Sequence, residues 1–251
     1  MIWDQLTSAE IDALERNIPL IFPIAATEQH GPHLPLSTDR LIAEHFALQL
    51  HQEIPSQVLI LPAVGVGCSD HHMDFCGTLT LTHQSFSNQV QDMVKSVAHH
   101  GFRNIILLNS HGGNQGVGQV IVESLGYQYP GLQLVLASWW RLAGKELVDL
   151  NQTGIGGVGH AGEFETSLMM SIAPELVRAE KVEMGKNQSG FSWARGDLLR
   201  SGRASHYQTM KQLTDNGVYG NPLMASKEKG EQITRVVVRQ LSRVVKDLIS
   251  N

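Results

Sequence analysis

The chain has 251 residues, of which 42% are hydrophobic and 17% charged, with a net charge of −5. This balance excludes a disordered chain and argues against a nucleic-acid-binding face. No apolar run approaches the ~20 residues of a bilayer span, and two cysteines, Cys68 and Cys76, make no disulfide scaffold.

No Pro/Ser-rich linker divides the chain, so one domain over residues 1–251 is expected. The start, MIWDQLTSAEID, lacks a basic stretch followed by an apolar run, so a reduced cytoplasmic location is expected. Residues 18–26, IPLIFPIAA, read as a strand buried on both faces. Thr38 is the expected N-cap of a following helix, with Asp39 in its first turn. A strand is expected over 58–66 and a strand or edge over 77–82. A helix is expected over 84–100, with Phe86, Val90, Met93, Val94 and Val97 on one face and Gly101 just past its end. NIILLN, 104–109, is a second buried strand, followed by a helix over 115–127, a strand over 132–137 and a helix over 163–172. Residues 185–222 read as a long loop region, and 226–249 as a strongly amphipathic final helix. Strands alternating with helices imply a mostly parallel sheet covered on both faces.

The chemistry concentrates at two strand ends. TEQHGPHLPLSTD follows the first buried strand and carries Glu28, His30 and Asp39, with Pro32 and Pro35 stiffening the chain between them. Glu28 and His30 are two apart, so an extended backbone turns both to one side. His111 follows the second buried strand. Ligands of open α/β sheets bind outside the carboxyl ends of strands, so both segments serve one place. Any one of these residues could be a cap or a satisfied core group. Together, imidazoles and carboxylates suit zinc first, then manganese or iron(II), and Asp39 could bridge two ions. GHAGEFETS adds His160, a candidate proton shuttle, and Glu163 and Glu165, of which one could complete a metal shell. For Glu163 the favoured role is that of a helix N-terminal carboxylate. The lone G-x-G-x-x-G match at 154–159 follows no clear strand and reads as a flexible approach to His160.

The segments TEQHGPHLPLSTD, HHMDFCGTLTL, NSHGGN, HAGEFETS and GVYGNP stand in the order and spacing of the creatininase family, which the chain resembles over nearly its whole length. The resemblance implies a three-layer α/β/α sandwich, two divalent ions per chain, a small-molecule substrate and a homo-oligomer, in the form of a hexamer. It implies Glu28, Asp39 and His111 as ligands of one ion, His30 and Asp39 as ligands of the other, and His160 as the proton-transfer group. Creatininase carries Tyr-Glu after its metal histidine, where this chain has Gly112 and Gly113, so Glu165 is the candidate for the missing ligand. It also carries side chains that hold creatinine where this chain has Gly156, Gly157 and Gly159, which disfavours creatinine. Ser69 and His72 lie in the loop resembling the family's substrate loop. Trp139 and Trp140 either wall the pocket or pack at the sheet end. Arg195, Arg200, Arg203 and Lys211 could read an anion, although a solvated basic loop explains them as well.

The implied activity is hydrolysis of a non-peptide C–N bond (an amide, cyclic amide or formamide) by metal-activated water. The HGGN form is also similar to family branches that act on a peptide precursor or a cyclic keto-inositol. Peptide cleavage and C–C hydrolysis of a cyclic ketone are therefore alternatives. A non-catalytic metal-binding assembly protein is another, since fold alone does not establish activity.

Overall fold

The computed structural model describes residues 1–188 and 190–250. Four strands, β1 (Leu20–Ile24), β2 (Leu59–Ile60), β3 (Asn104–Asn109) and β4 (Gln133–Ser138), form a parallel sheet in the order β2-β1-β3-β4. The helices among the described residues are α1 (Ser8–Asp12), α2 (Thr38–Glu53), α3 (His83–His99), α4 (Asn114–Gln128), α5 (Trp139–Leu142), α6 (Gly144–Leu147), α7 (Glu163–Ile172), α8 (Met210–Leu213) and α9 (Lys227–Ser250). None is long and apolar enough to cross a membrane.

Alternation along β1 and β3 divides the interior into two layers. Ile21, Ile106 and Leu108 pack with α2, α7 and α9 through Phe46, Phe164, Leu168, Val237 and Leu241. Leu20, Phe22, Ile105 and Leu107 pack on the other face with α3 and α4 through Phe86, Val90, Val94, Ile121 and Leu125. Both faces of β1 and β3 are thus dry, which is why these strands read as unbroken apolar runs. The sheet with helices on both sides is the expected three-layer α/β/α architecture.

Several local expectations change. The strand expected over 58–66 shrinks to two residues. Ala25 N–H donates to the Val64 carbonyl, so by alternation the nitrogen of Pro23 faces the same side, where it has no hydrogen to give. The ladder with β1 therefore stops at Ile60, and Pro62 follows. Residues 77–82 form no strand; Leu79 makes a single antiparallel bridge to Thr27, and Leu81 N–H donates to the Gly67 carbonyl. Thr38 is the first residue of α2 rather than its cap, and its hydroxyl donates to the Pro35 carbonyl at 2.7 Å. The loop expected over 185–222 contains one helical turn, α8, started by a Thr209–Gln212 capping box.

Candidate metal centre

β1 and β3 are neighbours in the sheet, yet the chain leaves β1 toward β2 on one side and returns in β3 on the other. The crevice between their carboxyl ends is the place where strand order reverses, and it collects ligands in open α/β sheets. The register sets Ile24 beside Asn109. The loop after β1 and the loop after β3 therefore open side by side. The first loop is held down by Thr27 Oγ1 donating to the Gly65 carbonyl at 2.7 Å and by Glu28 N–H donating to the Leu36 carbonyl at 3.0 Å. Gly31 turns it at φ 65°, a left-handed conformation, and a Cβ there would run into Val218.

Glu28, His30, Asp39 and His111 converge here and are almost wholly buried. His111 Nδ1 lies 3.3 Å from Glu28 Oε1 and 3.1 Å from Asp39 Oδ2. His30 Nε2 lies 3.2 Å from Asp39 Oδ1 and 3.9 Å from Glu165 Oε2. Asp39 thus turns one oxygen to each histidine. Second contacts orient the rings. His111 Nε2–H donates to the Cys68 carbonyl at 3.0 Å, and His30 Nδ1–H donates to the Glu28 carbonyl at 3.1 Å. Each neutral ring then offers a bare nitrogen to the carboxylates. Glu28 Oε1 and Asp39 Oδ2 are buried with no hydrogen-bond partner. Acceptors facing acceptors in a dry site call for a cation, and the mixture of imidazole and carboxylate is a transition-metal set. Glu28–Asp39–His111 and His30–His160–Glu165 each form a group able to hold an ion, as do Glu28, His72 and His160.

The electrostatics say the same in another way. Burial opposes a proton on His30, but Asp39, Glu165 and Glu28 carry its pKa up to about 9. Burial likewise opposes charging His111, yet Glu28 and Asp39 hold it well above the usual histidine range. Asp39 is held well below the carboxylate range, against burial, chiefly by His30. Protons on these rings stand where ions would otherwise balance the carboxylates. Burial pushes Glu165 up to about 7. Burial, with the charge on His30, pushes His160 down to about 3.

Glu165 reaches the cluster from the first turn of α7, its Oε2 accepting the Ala161 N–H at 2.6 Å. Glu163, two residues before it, turns away. It accepts hydrogen bonds from Gln152 N–H, Thr153 N–H and the Thr153 hydroxyl, and pairs with Lys229 of α9. Its preferred helix-end reading holds in part, since the main partner is Lys229 rather than the helix dipole. Gly113 has no room for a side chain, because a Cβ there would run into the Cys68 carbonyl and His111. Ser69 donates to Glu28 Oε2 at 2.6 Å, and His72 Nε2 lies 3.3 Å from Glu28 Oε1, so both touch the cluster. His160 Nδ1 lies 3.7 Å from Glu28 Oε1, and its ring packs against those of His30 and His72.

Trp139 and Trp140 are not brought to the cluster. Both lie in the core, Trp139 against Phe46, so they pack at the sheet end and do not wall a pocket. Arg200 pairs with Asp197 and Lys211 sits over the Phe75 ring, so neither is a free anion receptor. Gln29 escaped the sequence reading, yet its side chain contacts His72 and His160. A lone amide between two recognisable ligand types carries no local signal.

Two hollows are lined by neighbours of the cluster rather than by its ligand candidates. One of about 450 Å³ is lined by Cys68, His71, Gly113 and Tyr207, and one of about 240 Å³ by Ile155, Gly156, Arg195 and Tyr219. A narrower pocket of about 110 Å³ has His206 and Gln208 in common with the first and Arg195 and Tyr219 in common with the second. A larger hollow, about 680 Å³, lies at the N-terminal segment beside Trp3 and His100.

The family model described as creatininase, creatinine amidohydrolase, matches residues 4–245. The chain belongs to the creatininase family. Among creatininase-family relatives, it is 30% identical to the mycofactocin precursor peptide peptidase of Mycobacterium tuberculosis, over 96% of this chain and 90% of that one. It is 27% identical to the creatinine amidohydrolase of Pseudomonas putida, over 91% and 88%. A creatininase structure described as its manganese form superposes with a TM-score of 0.79 at 26% identity, covering 98% of this chain and 97% of that one. A mutant creatininase of zinc–zinc type gives 0.78 at 25% identity with the same coverage.

Proposed function

We propose that the protein is a metal-dependent hydrolase that cleaves a C–N acyl bond with activated water. One observation carries this. The two oxygens of buried Asp39 each face a histidine nitrogen from a different segment, at 3.2 and 3.1 Å, and one of them, Oδ2, has no hydrogen-bond partner. Glu28, Asp39 and His111 would hold one divalent ion, and His30, Asp39 and Glu165 the other. When bound, the ions supply a Lewis acid for the carbonyl and lower the pKa of water toward ~7. Zinc or manganese fits the donor set, and relatives of known structure are described with each.

The protein's own groups do the rest. Ser69 holds Glu28 in place, leaving Oε1 for the ion. His160 Nδ1, 3.7 Å from Glu28 Oε1, takes a proton from water and returns it to the leaving nitrogen. Ser69 and His72, both in contact with Glu28, are the side chains we assign to the substrate's carbonyl side.

Creatinine is not the substrate we assign. A Cβ on Gly157 would run into Thr153, and one on Gly159 into the Tyr219 carbonyl, while Gly156 has open space but a left-handed φ of 85°, so side chains that grip a small ring are blocked at two of the three positions and strained at the third. A peptide amide is the second reading, favoured by the 30%-identical relative named as a peptide peptidase. The test is release of free amine by zinc- or manganese-loaded protein from short peptides, formamides and cyclic amides, and formation of creatine from creatinine. We expect turnover of at least one amide and none of creatinine. Efficient creatinine turnover would overturn the substrate assignment, and inactivity toward every amide would overturn the reaction.

A further inference from the structure

The side chain of Gln29 enters a buried gap between His72, His160 and Gly217. Two backbone groups settle which way its amide points. Gly31 N–H donates to Gln29 Oε1 at 2.9 Å, and Gln29 Nε2 donates to the Gly217 carbonyl at 3.3 Å. Reversing the amide would set N–H against N–H and oxygen against oxygen. The NH2 group therefore also faces His72 Nδ1, 2.8 Å away, and that nitrogen must accept. The proton of neutral His72 then sits on Nε2. That atom is 3.3 Å from Glu28 Oε1 but outside hydrogen-bond alignment, so its N–H is unspent and directed into the site.

The backbone of the same residue sets His160. His160 Nε2 lies 2.7 Å from the Gln29 carbonyl, an approach that requires a hydrogen between the two atoms. Nε2 is the donor; Gln29 Nε2 also lies 3.1 Å from it, but the two amide hydrogens go to His72 Nδ1 and the Gly217 carbonyl, so Nδ1 of His160 is left bare toward Glu28. Both rings are the same tautomer, mounted 4.4 Å apart with opposite atoms toward the cluster.

We infer that Gln29 is a positioning residue that gives the site one fixed N–H, from His72, and one fixed lone pair, from His160. This rests on the hydrolytic reading above. A carbonyl oxygen gaining charge is stabilised by a preorganised donor, and a water losing its proton needs a preorganised acceptor. The same geometry removes Glu28, His72 and His160 as a metal site, although their ligand atoms lie within 4.8 Å of one another, because His72 presents a hydrogen rather than a lone pair.

The experiment is a long-range nitrogen–proton NMR spectrum of histidine-labelled, metal-free protein, with His72→Gln and His160→Gln identifying the two rings. Native protein should show both protonated at Nε2 and bare at Nδ1. Gln29→Glu replaces the donor to His72 with an acceptor, so His72 Nδ1 should gain a proton while His160 keeps its tautomer. A merely structural role would move both rings or neither. With metal content unchanged, the same variant should lose about 10²-fold in kcat on any amide substrate found, with a smaller change in KM. A native His72 protonated at Nδ1, or a His72 tautomer unmoved by Gln29→Glu, overturns the inference. Should the variant not fold, the native spectrum alone decides. Tautomers as stated in a protein that hydrolyses nothing would leave the inference standing and sink the hydrolytic reading instead.

Discussion

Glu163 and Asp39 are both buried carboxylates, and they are surrounded by groups of opposite character. Glu163 meets hydrogens on every side: two backbone N–H groups, the Thr153 hydroxyl and the Lys229 ammonium, itself held by Gln152 and Met224. Together these hold its pKa below the usual glutamate value against the cost of burial. Asp39 meets two histidines turned so that, when neutral, both offer lone pairs, beside the equally unsatisfied Glu28. In the first place the fold supplies a fixed ammonium; in the second the balancing charge is either protons on His30 and His111 or a bound ion. A protein that satisfies one buried carboxylate completely, at Glu163, leaves another unsatisfied at Asp39 where something else binds.

The contrast breaks first at Asp39. Asp39→Ala removes both bridging oxygens, so the protein should lose both ions and all activity. A full metal complement in the variant by elemental analysis would show that Asp39 is no bridge. Next in size is His160→Gln, which should keep its metals and fold but lose ~10²–10⁴-fold in kcat, the usual scale for an acid–base group. Loss of metal on this change would make His160 a ligand, as its place beside His30 and Glu165 permits.

At the other carboxylate the expected loss is in stability. Lys229→Met strands Glu163 without its cation and should destabilise the fold by ~3–5 kcal/mol in denaturant melts, with metal content of the folded fraction unchanged. Adding Glu163→Gln to it should recover part of that loss. An undisturbed melt would show that the Lys229 pairing is dispensable.

The smallest expected effect is a pH dependence confined to the metal cluster. His30 is raised from 6.5 to about 9 in the folded chain, so its protonation stabilises the metal-free protein fully below pH 6.5. That contribution fades as pH rises through 9. Metal uptake runs the other way, because an ion must displace the same proton, so affinity should rise over this window. Melting temperatures of metal-free and metal-loaded protein should therefore diverge between pH 6.5 and 9. Parallel curves would mean that the His30 proton and the ion do not compete.

The local layer of this protein was legible in its residues. Spacing of 3.6 found α3 and α9, with Phe86, Val90, Val94, Ile233, Val237 and Leu241 on their buried stripes. Apolar runs found β1 and β3, and the crowding of Glu28, His30 and Asp39 after one strand marked the place of chemistry. These are signals between neighbours in the chain, and periodicity and turn chemistry act at that range. Tertiary structure decided what depends on distant partners. β2 is short because Pro23, a residue of another strand, cannot donate to it. Trp139 and Trp140 joined the core because Phe46 and the helical layer lay over them. Glu165 and Glu163 share one turn of helix, and only the positions of Lys229 and His30 separate their roles. Even the convergence of Glu28 with His111 requires the β1–β3 register that sets Ile24 beside Asn109. Charges and donors 60 or more residues apart, as Glu163 and Lys229 are, meet only after the chain has folded, and a buried group's role is fixed by what it meets.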